Sequence, residues 1–114
     1  MKTDGRAMEI ALEVVLAEYG VSRERFLGRG RFPAEVAARE AFAFVAAEAC
    51  GCNFLAVTRF LGGKHESTRR YQITRARLNY AGGALDYRGE DVRAVYDQLV
   101  TVTGLRLKRE GVTA

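Results

Sequence analysis

Lys64, His65, Glu66, Ser67, Thr68, Arg70, Tyr71 and Thr74 stand close together in one segment of the chain. Short hydroxyls set between cations can donate hydrogen bonds to phosphate oxygens and to base edges, so this mixture suits contact with a polyanion. It suits bond-making poorly. His65 is the only histidine, so any Ser–His or Cys–His dyad must use it. Its neighbours Glu66 and Ser67 point in other directions if the segment is helical. No catalytic residues are expected, and no cofactor. Cys50 and Cys52 offer at most two metal ligands, with no second Cys/His pair to complete a site. They read as small thiols packed at the end of a helix, and no metal site is expected.

The charge distribution sharpens the polyanion reading. Across 114 residues the net charge is +4. Between Arg59 and Arg77 stand Arg59, Lys64, Arg69, Arg70, Arg75 and Arg77 against the single anion Glu66. A second knot holds Arg23, Arg25, Arg29 and Arg31 against Glu24. Two basic clusters on a chain otherwise close to neutral are the electrostatic footprint of a nucleic-acid binder.

The elements that must position these groups are helical. Apolar residues recur at helical spacing over Ala7–Tyr19, and Gly20 supplies a stop. Ser22 is a good N-cap for a short turn over Arg23–Leu27, and Gly28-Arg29-Gly30-Arg31-Phe32 reads as a flexible basic loop. Pro33 suits the first turn of a helix, because its missing N–H has no partner to lose there. The alanine-rich run from Pro33 to about Cys50 is apolar on more than one face, which predicts the central helix, ended by Gly51.

Asn53 caps a helix over Phe54–Leu61, the pair Gly62-Gly63 breaks it, and Lys64–Tyr80 forms the next, with Ile73, Ala76 and Tyr80 inward. A final helix spans about 90–103, with Gly104 as its stop and residues 105–114 extended or frayed. The core is expected to hold Phe42, Val45, Phe54, Val57, Phe60, Ile73 and Leu99. The fold class that follows is all-α: one compact multi-helix domain over residues 1–114, with a helix-turn-helix at about 53–80.

Four pieces of the chain, in order, carry a family resemblance. They are Tyr19-Gly20-Val21-Ser22 with Phe26-Leu27, the basic loop Gly28–Arg31, Ala38-Arg39 within the alanine-rich helix, and Phe60-Leu61-Gly62-Gly63-Lys64-His65-Glu66-Ser67-Thr68. Together they resemble the C-terminal DNA-binding domain of the bacterial replication initiator DnaA, without its ATPase domain. The resemblance implies a Trp-repressor-like helical fold and double-stranded DNA as partner. It implies that Arg31 enters the minor groove, that Arg29 contacts the neighbouring backbone, and that Arg39 faces the DNA. It also implies that His65, Glu66, Ser67 and Thr68 meet base edges or phosphates. Arg70, Tyr71 and Arg75 extend that basic face, with Arg70 and Arg75 as phosphate anchors.

The departures from the family pattern are specific. His65-Glu66 stands where the family has aspartate then histidine, which implies a different base code. Arg69 stands where the family has an inward-facing aliphatic residue. No phosphate-binding glycine loop occurs, so origin melting is not expected. The reading is a double-stranded DNA-binding protein of the cytoplasm and its nucleoid, acting by site occupancy in replication control or transcription regulation, with no membrane partner. The second reading is a protein-interaction module whose basic surface takes an acidic partner. Homodimerisation is left open.

Overall fold

The computed structural model describes residues 2–63 and 65–112. Six helices follow in order: α1 (Lys2–Tyr19), α2 (Arg23–Leu27), α3 (Pro33–Cys50), α4 (Phe54–Phe60), α5 (Glu66–Gly82) and α6 (Val92–Arg109). Among the described residues the only extended pairing is an isolated bridge between Leu85 and Asp91. No single helix there is long and apolar enough to cross a membrane.

Local chemistry fixes most helix ends. The Ser22 hydroxyl accepts from the Arg25 N–H at 3.1 Å, and the Asn53 side chain accepts from Ala56 at 3.0 Å. The Asp91 carboxylate accepts from Arg93 at 3.0 Å, and Pro33 opens α3. Each cap satisfies a donor that the first helical turn leaves without a partner. Gly51 closes α3 at φ 67°, a left-handed conformation in which a Cβ is strained.

The central helix α3 packs against each of the other five. Phe42 and Val45 on α3, Ile10, Leu12 and Val15 on α1, Val57 on α4, and Leu99 on α6 are buried. Phe26 meets the Phe42 ring edge-on at 5.6 Å, which fastens α2 to the core. Phe44, Tyr80 and Tyr96 stack at 4.8 Å centroid spacings about Phe44, joining α3, α5 and α6. Cys50 and Cys52 are buried, and the Cys50 thiol donates to the Ala7 carbonyl at 3.4 Å.

Two expected core residues sit further out than the sequence implied. Phe54 and Phe60 are half-buried, at the margin where α4 lies over α3 and α5.

The tail differs more. The stop expected at Gly104 does not occur, and α6 runs on to Arg109. Thr103 and Leu107 lie one turn apart on the face that α6 turns to the core, and both are buried. Glycine within a helix costs about 1 kcal/mol relative to alanine. Burying a leucine contributes about 1.5–3 kcal/mol, and packing wins. Ion pairs add to it: Arg6 with Glu110 at 2.6 Å and Arg106 with Glu13 at 2.9 Å tie α6 to α1.

Candidate nucleic-acid interface

The basic loop is held from beneath by Arg39. This side chain, nearly two turns into α3, is 9% exposed. Its Nε donates to the Phe26 carbonyl at 2.9 Å, Nη1 to Gly30 at 2.5 Å, and Nη2 to Arg25 and Gly28, both at 3.0 Å. Glu35, one turn earlier on α3, is buried and pairs with Arg25 at 2.7 Å. Its other oxygen lies 3.9 Å from Arg39 Nη2. A Cβ at position 30 would run into the Glu35 carboxylate, so any other residue there would require the buried Glu35 to move.

Two expectations change with this network. The loop expected to be flexible has its carbonyls bonded to a buried guanidinium. Arg39, expected to face DNA, lines the groove between the loop and α5 but spends its hydrogen bonds on four loop carbonyls. Burial also lowers the Arg39 pKa, partly offset by Glu35, while Arg31 lowers it further.

Arg29 and Arg31 project from this anchored loop and are exposed. Phe32 follows them, 67% exposed, with the Arg25 guanidinium over its ring at 5.8 Å. Opposite lies the start of α5. Loop and helix enclose an open groove of about 760 Å³ whose walls include Arg29, Arg31, His65, Ser67, Thr68 and Tyr71. Residues from two distant stretches of sequence thus share one surface.

The connection from α4 to α5 is longer than expected, because α4 ends at Phe60 rather than Leu61 and α5 starts late. Gly62 and Gly63 have φ of 108° and 76°, and His65 is also left-handed at φ 63°. Such a conformation is uncommon for a residue with a Cβ. Accordingly α5 begins at Glu66 rather than at Lys64, and His65 stands ahead of the helix as its N-cap. At the other end α5 runs two residues past Tyr80, to Gly82. Lys64 lies outside the described residues.

Along α5 the expected contacts divide between two sides. Ser67, Arg70, Tyr71 and Thr74 line a shallow outer concavity with Glu66. Glu66 comes within 3.9 Å of Arg70, one turn on. Arg70 also leans over the Phe54 ring at 4.4 Å, so this cation helps fix α5 against α4. Tyr71 is 61% exposed. Arg75 stands apart from the loop, in an adjoining groove with Glu40 and Asn79. Sequence reasoning did not select Gln72 or Arg69 as site residues, yet both line the main groove. The signal for Arg69 was present: it precedes buried Ile73 by one turn.

A solved structure of a DNA replication initiation factor shares this fold. The likeness covers 92% of this chain with a TM-score of 0.74 and 14% sequence identity, and this chain spans 30% of the length of that one. At that identity the likeness is one of fold, and the fold is the DnaA-like helical one that the ordered motifs of Tyr19–Thr68 imply. No family model matches the sequence, and no curated protein does.

Proposed function

We propose that this chain binds double-stranded DNA and acts by occupying a site, in replication control or transcription regulation. In this reading α4, the glycine turn and α5 form a helix-turn-helix. The outer face of α5 enters the major groove, with His65, Glu66, Ser67 and Thr68 at base edges or phosphates and Tyr71 at a phosphate. Arg70 and Arg75 meet phosphates. The basic loop reaches the adjacent minor groove with Arg31, while Arg29 contacts the backbone. A narrow A·T-rich minor groove has enhanced negative potential, which favours an inserted arginine. The chain does no catalysis in this reading, and a DNA-bound role puts it in the cytoplasm at the nucleoid.

One observation carries the reading. The basic loop and the first turns of α5 form the two walls of a single groove, as a protein gripping both a major and a minor groove requires. Selection of bound duplexes from a random pool tests it. Enrichment of a short sequence with an A·T-rich flank is the expected result. A pool retained without enrichment would reduce the reading to charge attraction, and no retention would leave the interaction module with an acidic partner in its place.

A further inference from the structure

Among the described residues, Arg69 is a cation without a counter-charge. It lies on the second turn of α5 and lines the groove beneath the basic loop. Its Nη1 donates to Gln72 Oε1 at 3.2 Å, a neighbour on the same helix. Its Nε is buried with no hydrogen-bond partner among the described residues. The charged group acting on it is another cation, Arg39, and both burial and that repulsion push its pKa down. Arg39 gives the groove little in return, because its own donors are taken by loop carbonyls.

Burying a donor unpaired costs free energy, and placing it beside a like charge costs more. An apolar side chain would avoid both costs. The groove also carries Arg31 and the hydroxyl residues Ser67 and Thr68, against Glu40 as the one carboxylate among its described lining residues. A positive floor with hydroxyls on the wall suits a tetrahedral oxyanion, and a guanidinium fork matches phosphate oxygens two at a time.

We infer that this groove seats one phosphate group, with Arg69 as the floor cation and Ser67 and Thr68 at its rim. Two sources offer that chemistry: a phosphodiester of a DNA backbone, or a free phosphate. Assignment to the backbone rests on the DNA-binding reading; the phosphate seat itself does not.

The test compares the full chain with Arg69→Leu and Arg69→Gln, each first checked for helical content. Melting temperatures are measured in chloride and in inorganic phosphate at equal ionic strength. In chloride, Arg69→Leu is expected to melt above the wild type, because the unpaired charge is gone. Phosphate is expected to raise the wild-type melting temperature and to leave both variants unmoved. An equal rise in all three, or a rise in none, overturns the seat.

The same proteins are then titrated with random duplex across a salt series. Loss of about one unit of salt slope in both variants assigns the seat to a backbone diester. An unchanged slope, with the phosphate response intact, assigns it to a free phosphate. Should no variant or wild type bind duplex, the DNA reading fails, while the melting data still decide the seat.

Discussion

The Nη1 of Arg39 lies 2.5 Å from the carbonyl oxygen of Gly30, across the turn that joins α2 to α3. The same guanidinium bonds the carbonyls of Arg25, Phe26 and Gly28, so one buried cation holds a loop whose exposed members, Arg29 and Arg31, are cations too. The tether works against the repulsion between Arg31 and Arg39. The buried charge is tolerated because its donors are satisfied and Glu35 stands near.

Arg39→Ala should therefore destabilise the fold by about 3 kcal/mol, the usual scale for removing one partner of a buried ionic network. It should weaken binding to every duplex, and to A·T-rich ones most, because Arg31 is lost with the loop. Arg39→Lys should fail to restore stability, since a point charge cannot reach four carbonyls in a fork. Urea unfolding of the three proteins checks this, and full recovery by lysine would reduce the role of Arg39 to its charge.

Arg31→Ala should leave stability within about 0.5 kcal/mol of wild type, as expected of an exposed side chain away from the core. Its effect should fall on binding, and more on A·T-rich duplexes than on G·C-rich ones. Parallel titrations of the two duplex classes at one salt concentration measure the difference. Equal losses would remove Arg31 from the minor groove.

Phe60→Ala should cost roughly 2 kcal/mol, less than the ~3–5 kcal/mol of a fully buried phenylalanine such as Phe42. The ring of Phe60 lies tilted against Phe42 at a 5.9 Å centroid distance, but the residue is only half-buried. Denaturant midpoints of Phe60→Ala and Phe42→Ala order the two. A larger loss at Phe60 would place it in the core after all.

Asp86 makes the turn before α6 sensitive to acid. Burial pushes its pKa up, but the Arg88 guanidinium and the N–H groups of Arg88 and Glu90 outweigh that, and the net shift is downward. A depressed carboxylate stabilises the fold above its unfolded value of about 3.9, and the contribution disappears as pH falls through the folded value. Asp86→Asn should thus lower the melting temperature by a constant amount above about pH 5, and the gap should narrow below about pH 4 and close as pH falls through the depressed folded value. A gap that persists in acid would assign the loss to packing rather than charge.

The limits of sequence reading here have physical causes. Ser22, Pro33, Gly51 and Asn53 set helix ends through bonds made within a few residues, so α2 and α3 were legible in full and the start of α4 with them. Gly104 is equally local, but burial of Leu107 overrides it from another part of the molecule. At the site, Arg29 and Arg31 were legible as exposed cations. Arg39 was not, although it falls on the same helical stripe as Phe42 and Glu35, and that stripe marks an inward face. The pairing of Gly30 with the Glu35 carboxylate depends on how the loop folds back over α3, and no spacing rule encodes it. Arg69 was legible as a departure from the family pattern, but its buried Nε appears only once the groove is assembled.

The central claim, that the two walls of the groove grip a duplex through its phosphates, is tested most directly by the salt dependence of binding. A labelled random duplex is titrated with the full chain between about 50 and 200 mM salt. If about four phosphates are neutralised, affinity falls roughly a hundredfold over that range, and Arg29→Ala with Arg70→Ala removes about one unit of slope each. An affinity that stays flat across the series, or a slope that neither variant changes, would contradict the account.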